Sequence, residues 1–378
     1  MRIENWQLKI VALSALLIGP GWVGAAAPRG YPATSPHSEP VALRVESFTV
    51  PPSSQPLVFV VAKNLQNVPY QGSLTIKAPE GWRLAPSERQ LALKPGETRR
   101  VPFTIERGSS VQSNSYPVEV SAAGAGATVV RRQDVVCASA PYFSPTIDGD
   151  PSEWKDAIPV TFTSGGRKTI ISTYWNRRQF SILVTVEEQG LIAYREGPTP
   201  EPFDAVQIAL SPPDTQTGNS PDDQATRFEF LFVSAGTAGT ARAPTRSVGR
   251  PWSAGRCFQL ASPGMKLGEA AKERRLEPLQ CEKATVAVSR TGSMTYYECG
   301  IPFSLMGGQI RPGEGREFCL SVLVHDPDGT GIRDWGEAAG LWPWQRNPLS
   351  WSRFPGAKWG ENPPFDNKLS WGLCSSIY

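Results

Sequence analysis

The sequence predicts an all-β protein built from two β-sandwich domains. The 378 residues include 36 Pro and 35 Gly, two residue types that interrupt helices. Apolar and polar residues alternate along many short segments, which is the period of a half-buried strand. Apolar residues make up 40% of the chain, and a chain of this length accommodates two domains of roughly 100 to 200 residues each.

The balance of basic and acidic residues indicates whether a nucleic-acid partner is expected. The chain has 38 basic and 35 acidic side chains, a formal net charge of +3. A nucleic-acid-binding protein usually has a strong basic excess. We therefore expect no nucleic-acid partner.

The first 27 residues have the order of a secretory signal peptide. Arg2 and Lys9 precede the apolar run 10–18, and small residues occupy positions 24–27, as signal-peptide processing requires. No later run approaches the ~20 apolar residues that a bilayer span needs. We expect an exported protein without a transmembrane segment, in the extracellular space, the periplasm or at the cell surface.

A Pro-rich linker is predicted for residues 28–40, and the first domain for residues 41–137. The domain has period-2 alternation between turn sequences such as Pro-Glu-Gly and Pro-Gly-Glu. About seven short strands in such a length are typical of an immunoglobulin-like sandwich. The apolar residues expected on its core face are Leu74, Ile76, Val101, Phe103, Ile105, Tyr116, Val118 and Val120.

The second domain is predicted for residues 142–378 and is also rich in strands. Its clearest strand places Phe180, Ile182, Val184 and Val186 on one face. Long segments rich in Gly, Pro, Ser and Thr separate the strands, and such surface loops often carry function on a rigid sandwich.

All six cysteines lie at or after position 137. In an exported protein they are expected to form disulfides, and six cysteines allow 15 pairings. The spacing suggests three pairs: Cys257 with Cys281 around an insertion, Cys299 with Cys319 on consecutive strands, and Cys137 with Cys374 at the two ends of the second domain.

Five segments of the second domain resemble, in order, a family 9 carbohydrate-binding module. The first contains Ile147, Asp148, Gly149, Glu153 and Trp154. The other four are YWNRRQFSILVTVEE (174–188), FDAVQIAL (203–210), YYECGIPFSLM (296–306) and VHDPDGTGIRDW (324–335).

This resemblance implies a sandwich that binds a polysaccharide or oligosaccharide, often with structural calcium, as an appendage of polysaccharide-degrading enzymes. The segment APEGWRLAPSERQLALKPGETRRVPFTIERG of the first domain is similar to bacterial immunoglobulin-like modules that accompany secreted glycosidases. A secreted glycosidase is therefore an implied partner.

Tryptophan clusters near the end of the chain, where six of the twelve fall within the last 44 residues. An indole stacks well on the C–H face of a pyranose ring. We predict a sugar platform of Trp342 and Trp344, which flank Pro343, with Trp175 as a third member. Hydrogen bonds to sugar hydroxyls are predicted from Gln345, Arg346 and Asn347. The alternative is that these rings pack in the core, which is our main interpretation of Trp154.

A calcium site is predicted at Asp326, Asp328 and Asp334, and Asp148 forms a second cluster of carboxylates with Asp150 at the start of the domain. Calcium prefers 6 to 8 oxygen ligands, and a tight loop supplies several here. The alternative is ordinary turn chemistry, because Asp-Pro-Asp-Gly is itself a turn signal.

The sequence thus predicts non-catalytic recognition of a polysaccharide or its chain ends. One alternative is a surface scaffold that contacts protein instead of sugar. Another is a glycoside hydrolase that uses two of Glu298, Glu337 and Asp334, although the sequence specifies no catalytic pair. A haem bound by Met306 and His325 is a weaker alternative, and no organic cofactor is expected.

Overall fold

The computed structural model describes residues 39–124, 126–197, 202–213, 227–235, 252–263, 276–334, 365 and 369–375. Within these residues the chain forms twenty β-strands and four short 3-10 turns, with no α-helix. No helix in this part of the chain is long and apolar enough to cross a membrane. The predicted all-β fold class is confirmed.

The first sandwich packs two four-stranded antiparallel sheets. One has the order β1-β2-β6-β4 and the other β5-β3-β7-β8. The strands are β1 Val41–Val45, β2 Leu57–Asn64, β3 Tyr70–Lys77, β4 Arg83–Ala85, β5 Glu88–Leu93, β6 Thr98–Arg107, β7 Tyr116–Gly124 and β8 Ala127–Val135. A 3-10 turn, Pro52–Ser54, lies between β1 and β2. All eight core residues predicted from the alternation are buried in the single core between these sheets.

The second sandwich is one continuous twelve-stranded sheet that curls into two layers. The path β10-β11-β12-β17-β16-β15-β14-β13-β18-β20-β9 has β19 paired to β18. The strands are β9 Ser139–Ala140, β10 Val160–Ser164, β11 Arg167–Trp175, β12 Gln179–Glu187, β13 Ala205–Ser211, β14 Phe228–Ser234, β15 Trp252–Ala261, β16 Thr285–Thr291, β17 Met294–Pro302, β18 Glu317–Asp326, β19 Gly331–Asp334 and β20 Leu369–Leu373. The 3-10 turns are Pro151–Trp154, Glu277–Leu279 and Phe303–Met306.

The core of this sandwich lies between the two layers. Phe180, Ile182, Val184 and Val186 of β12 point into it, as the alternation predicts, and face residues of β13, β14 and β18 from the other layer. Strand β15 joins the layers because its first residues pair with β16 and its later residues pair with β14. One sheet can close in this way because strands twist and long sheets curl.

The two sandwiches follow each other without a flexible linker. The amide of Ala138 donates to the carbonyl of Phe48 at 2.7 Å, and the amide of Gly372 donates to the carbonyl of Ala138 at 2.9 Å. On the same side, the hydroxyl of Thr49 donates to Glu317 Oε1 at 2.7 Å. Backbone and side-chain contacts therefore join the first sandwich to β9, β18 and β20 of the second.

One predicted cysteine pair is adjacent in the fold. The amide of Cys281 donates to the carbonyl of Cys257 at 2.8 Å, and the two buried thiols contact each other. The thiol of Cys257 also contacts that of Cys299. All six cysteines are free thiols in this structure.

The pairing of Cys299 with Cys319 is wrong. Strands β17 and β18 are consecutive in the chain, but β16, β15, β14 and β13 lie between them in the sheet. Cys299 points into the core, whereas Cys319 lies between two core residues of β18 and therefore points to the opposite face.

The pairing of Cys137 with Cys374 is not formed in this structure. The two buried thiols lie near enough for Cys374 to contribute to the raised pKa of Cys137. The amide of Cys374 donates to the carbonyl of Ala140.

Candidate functional site

Three buried carboxylates meet at one end of the second sandwich. Glu188 follows the last residue of β12, Asp204 precedes the first residue of β13, and Asp326 ends β18. Ala205 pairs with His325 across β13 and β18, so their neighbours Asp204 and Asp326 lie at the same end of the sheet. The exposed fraction of each of the three residues is 1% or less. We call these three residues the carboxylate cluster.

Each carboxylate uses one of its oxygens to accept hydrogen bonds from the protein. Glu188 Oε1 lies 3.3 Å from a guanidinium nitrogen of Arg290, and Asp204 Oδ2 accepts from the amide of Ile192. Asp326 Oδ2 accepts from the Thr330 amide at 3.1 Å and hydroxyl at 2.9 Å, and from Arg333. The donors therefore hold all three side chains in place.

The second oxygen of each carboxylate has no donor among the described residues. These atoms are Glu188 Oε2, Asp204 Oδ1 and Asp326 Oδ1. One ligand oxygen from each residue lies within 4.8 Å of the others. A buried oxygen without a partner is costly, and three converging carboxylates repel one another. A hard cation removes both penalties, so the residues present fit Ca²⁺, which binds carboxylate oxygens.

Two arginines neutralise part of the cluster. Arg333 is fully buried beside Asp326, and Arg290 also donates to the carbonyls of Glu188, Gln189 and Gly190. Three carboxylates against two guanidiniums leave one net negative charge when all are ionised. The guanidiniums face the oxygens that already have donors, so they do not occupy the point where the remaining oxygens converge.

The pKa values of the three acids diverge because their surroundings differ. Burial, together with the charge of Glu188, raises the pKa of Asp204 to about 8. Burial also raises the pKa of Glu188 to about 7. For Asp326 burial acts in the same direction, but the hydrogen bonds from Thr330 and Arg333 outweigh it and the pKa is lowered. Without a cation, the cluster therefore holds protons on Asp204 and Glu188 near neutral pH.

A close loop contact shapes one wall of the cluster. A Cβ atom at Gly329 would lie 2.4 Å from Asp326 Oδ1, a distance that would force something to shift. The Asp-Pro-Asp-Gly sequence thus forms a tight turn, as the alternative interpretation held, and this turn also folds against the carboxylate of Asp326.

The predicted calcium ligands are only partly assembled. Asp326 belongs to the carboxylate cluster, and Asp328 lies near enough to raise the pKa of Asp204. Asp148 is elsewhere: its Oδ1 accepts from the Asp150 amide at 3.0 Å, beside Glu298. Asp334 ends β19, and its side chain lies outside the described residues. Asp148 therefore lies with Asp150 at the entrance of the domain and is not part of the carboxylate cluster.

Sequence reasoning missed Glu188 and Asp204. Both lie within the family-like segments. Glu188 is the last residue of segment 174–188, and Asp204 is the second residue of segment 203–210. Their position directly beside strand ends was the available signal. Asp204 and Asp326 lie at the same end of the paired strands β13 and β18, whereas Glu188 comes from β12, which is not adjacent to either strand.

The structure places Trp175 in the core and not on a sugar-binding surface. Its exposed fraction is 5%, and its indole nitrogen donates to the carbonyl of Cys374 at 2.7 Å. The ring of Tyr142 packs edge-on against it, with centroids 4.9 Å apart. A ring enclosed in this way leaves no face for a sugar, so its assignment to the platform is wrong.

The other five predicted sugar contacts follow β19 in the chain. Trp342, Trp344, Gln345, Arg346 and Asn347 lie outside the described residues. The segment that contains them follows β19 and precedes Phe365 and β20.

Glu298 is buried, and burial raises its pKa to about 7. Its Oε2 accepts from the amide of Gly149 at 2.7 Å, and its Oε1 accepts from the indole of Trp154 at 2.8 Å. Both oxygens are thus engaged inside the protein. Gly149 and Trp154 of the opening motif supply the two donors, and Trp154 is buried, as its core interpretation predicts. Glu337, another acid named for a hydrolytic pair, lies outside the described residues.

Met306 and His325 are not arranged to bind one haem. Met306 lies inside the sandwich core, whereas His325 follows the core residue Val324 on β18 and points to the opposite face. There its Nε2 lies 3.2 Å from Gln207 Oε1.

Comparisons with known proteins gave matches only among solved structures. No family model matches the chain, and no curated protein matches it. A family 9 carbohydrate-binding module from Caldicellulosiruptor kristjanssonii, in complex with cellotriose, is 13% identical, with a TM-score of 0.36 over 63% of this chain and 93% of that chain.

Two further matches are of the same or lower similarity. A family 9 module from the same organism in complex with glucose is 13% identical, with a TM-score of 0.36 over 63% of this chain and 95% of that chain. The E. coli chaperone DraB is 13% identical, with a TM-score of 0.21 over 35% of this chain and 69% of that chain. Similarity of this degree does not transfer a function.

Proposed function

We propose that this protein is an exported, non-catalytic carbohydrate-binding protein that recognises a polysaccharide or its chain ends. The observation that supports this proposal is the way in which the five family-like segments meet. The first and fourth meet through Trp154 and Glu298. The second, third and fifth each supply one acid to the carboxylate cluster.

This convergence matters because the five segments were selected by sequence resemblance alone. They span positions 147 to 335 of the chain and converge at two points of the fold. Their two meeting points join elements far apart in sequence. They therefore behave as parts of one structural unit, which is what a shared family pattern requires.

In this proposal the carboxylate cluster holds a structural Ca²⁺ through Glu188, Asp204 and Asp326, with Asp328 close by. The bound cation supplies positive charge that balances the acids. The protein's own donors position one oxygen of each acid so that the other is free for the cation. Water or backbone oxygens complete the 6 to 8 ligands that Ca²⁺ prefers.

Sugar contact is assigned to the segment that follows β19. Trp342 and Trp344 offer indole faces for stacking, and Gln345, Arg346 and Asn347 offer hydrogen bonds to hydroxyls. The pairing of Arg333 with Asp326 fixes the strand from which this segment departs. Cation binding therefore stabilises the strand from which the sugar-binding segment departs.

Exported location and a role in polysaccharide breakdown complete the proposal. The signal-like residues 1–27 support export, and the resemblance of both domains to modules of secreted glycosidases supports a glycosidase as partner. No catalytic residue is assigned.

A glycan array probed with the full mature chain, with and without 1 mM CaCl₂, tests the proposal. We expect saturable binding to at least one class of polysaccharide or oligosaccharide and no release of reducing sugar. Release of product would assign the protein to the glycoside hydrolases. Binding to no glycan would instead favour the scaffold that contacts protein.

A further inference from the structure

The segment that connects the two sandwiches lies between their cores. Val135 and Cys137 belong to the core of the first sandwich. Ala138 belongs to the core of the second sandwich, and Val136 packs against that core. Successive residues of an extended chain point to opposite sides, so this connector, residues 135–138, faces one core on each side. Few contacts cross the linker between independent domains, whereas this connector is packed into both sandwiches.

One edge of the connector is paired with the first sandwich and then with the second. The amide of Phe48 donates to the carbonyl of Val136 at 2.9 Å, and the carbonyl of Phe48 accepts from the amide of Ala138 at 2.7 Å. The carbonyl of Ala138 accepts in turn from the amide of Gly372 in β20 at 2.9 Å. Ala138 therefore bonds to one sandwich through its amide and to the other through its carbonyl.

The side chain of Asn114 covers the other edge of the connector. Its Oδ1 accepts from the amide of Cys137 at 2.9 Å, and its Nδ2 donates to the carbonyl of Cys137 at 2.9 Å. The carboxamide thus pairs with Cys137 as a neighbouring strand does. Nδ2 also donates to the carbonyl of Pro159 at 2.9 Å, the residue before β10. Asn114 therefore links the β6–β7 loop of the first sandwich to the connector and to the second sandwich.

Asparagine suits this position for two reasons. The φ of Asn114 is 46°, in the left-handed region that asparagine enters more readily than most residues. Its carboxamide has an acceptor oxygen and two donor hydrogens, which match the amide of Cys137 and the carbonyls of Cys137 and Pro159. Because Asn114 and Cys137 are both buried, a side chain without a carboxamide would leave the backbone groups of Cys137 without these partners, at a cost in stability.

The two sandwiches also pack directly against each other. A Cβ atom at Gly372 would lie 1.9 Å from the carbonyl oxygen of Thr49, so β20 approaches the first sandwich as closely as only glycine permits. Ile158, which precedes Pro159, packs against the core of the first sandwich. An apolar side chain of the second sandwich therefore contributes to the first core.

We infer that the two sandwiches fold and unfold as one cooperative unit, and that Asn114 links them. The connector cannot leave one core without carrying residues out of the other, because residues of the two cores alternate along it. The first sandwich is then a structural part of the second and not a separable spacer. This inference does not depend on the proposed sugar binding, since it rests only on contacts between the two sandwiches.

Pulsed hydrogen exchange of the full mature chain across a urea series, measured by mass spectrometry, tests the cooperativity. Peptides from β7 report on the first sandwich and peptides from β12 report on the second, because amides of core strands exchange when their cooperative unit unfolds. We expect both sets of peptides to give the same midpoint and the same m-value in wild type. Two separate transitions in wild type would overturn the inference.

Asn114→Gly tests the link between the sandwiches. Glycine accepts the positive φ of this position, and the change removes all three side-chain hydrogen bonds. We expect the β7 and β12 peptides to unfold in separate transitions, each with a smaller m-value, because each sandwich then exposes only its own surface. Coincident transitions with an unchanged m-value would overturn the role of Asn114.

Asn64→Gly is the matched control. Asn64 is also a buried asparagine, but its side chain donates to the carbonyls of Val68 and Lys94 within the first sandwich. We expect this change to lower the midpoints of both sets of peptides together, by on the order of 0.5 M urea. Separate transitions in Asn64→Gly would overturn the cooperative unit.

A second pair of variants guards against misfolding of Asn114→Gly. Gly372→Ala places a Cβ atom against Thr49, whereas a Cβ atom at Gly197 meets nothing within 4 Å in the described part of the chain. If Asn114→Gly is unfolded without urea by circular dichroism, the same exchange measurement is made on Gly372→Ala and Gly197→Ala. Separate transitions are expected only in Gly372→Ala. Coincident transitions in both variants would overturn the link between the sandwiches.

Discussion

The indole nitrogen of Trp154 donates a 2.8 Å hydrogen bond to the carboxylate of Glu298, 144 positions further along the chain. The same carboxylate accepts from the amide of Gly149 at 2.7 Å. Trp154 stacks on Tyr174, with ring centroids 5.1 Å apart. One buried acid therefore fixes the entry of the chain into the second sandwich against β11 and β17.

Trp154→Phe should destabilise the protein through this bond. The change keeps an aromatic ring but leaves one buried oxygen of Glu298 without its donor, which costs about 1 to 3 kcal/mol. Urea unfolding measures the loss. Trp82→Phe in the first sandwich is the control, since the indole nitrogen of Trp82 has no hydrogen bond among the described residues. Equal losses in the two variants would contradict this role of Glu298.

Calcium should stabilise the protein by binding the carboxylate cluster. A ligand present at 100 times its Kd adds about 2.7 kcal/mol to the free energy of unfolding. Excess CaCl₂ should therefore raise the Tm, and a chelator should reverse the rise. The shift should vanish in Asp204→Asn and persist in Asp134→Asn, an exposed acid of the first sandwich. If calcium leaves the Tm of the wild type unchanged, calcium binding by the carboxylate cluster is contradicted.

The metal-free protein should lose stability as the pH rises from about 4 to 8. The folded-state pKa values of Glu188 and Asp204 are raised to about 7 and about 8, whereas unfolded Glu and Asp titrate near ~4. The unfolded state therefore binds fewer protons in this interval, and the free energy of unfolding falls by on the order of a few kcal/mol.

Bound calcium should reduce this dependence, because a cation replaces the protons of Glu188 and Asp204. Glu298, whose pKa burial raises to about 7 away from the cluster, keeps its own contribution. Urea unfolding at pH 5 and pH 8, with chelator or with calcium, measures both effects. A metal-free protein that is as stable at pH 8 as at pH 5 would contradict the raised pKa values.

If the protein is exported, Cys257 and Cys281 should form a disulfide. Their thiols are in contact and their backbones share a hydrogen bond. In the chain-entropy model a loop of this length contributes roughly 3 kcal/mol. Peptide mapping without reduction should find this link alone. A disulfide between Cys257 and Cys299 would contradict this prediction, since it would show that Cys257 is oxidised with Cys299 and not with Cys281.

Sequence reasoning predicted the strands and their core faces because the signal is local. Alternation along a strand decides which side chains point inward, as for Phe180 and Ile182 in β12. The same reasoning failed for Cys299 and Cys319, because chain order does not reveal that four strands separate β17 from β18 in the sheet.

The carboxylate cluster could not be predicted from the sequence for a related reason. Glu188, Asp204 and Asp326 are far apart in sequence. The long-range pairing of β13 with β18 brings Asp204 beside Asp326, and Glu188 joins them from β12, which is not adjacent to either strand. The burial of Trp175 likewise depends on Cys374, 199 positions away. Residue type alone does not distinguish a core indole from a sugar platform.

Two matched Trp variants test the assignment of the sugar contact. Trp175→Ala should cost ~3 to 5 kcal/mol of stability, as the loss of a core ring does, with affinity per folded molecule unchanged. Trp344→Ala should leave the Tm close to wild type and weaken sugar binding by about 1 to 3 kcal/mol, the scale of losing one aromatic contact. The reverse pattern would assign Trp344 to the core.

The most direct measurement of the central claim is isothermal titration of the full mature chain, loaded with calcium, with the oligosaccharide that scores highest on the glycan array. We predict saturable binding by the wild type that Trp344→Ala weakens by roughly 5- to 150-fold, which is the same 1 to 3 kcal/mol expressed as an affinity ratio. An absence of saturable heat in the folded wild type would contradict carbohydrate binding as the function of this protein.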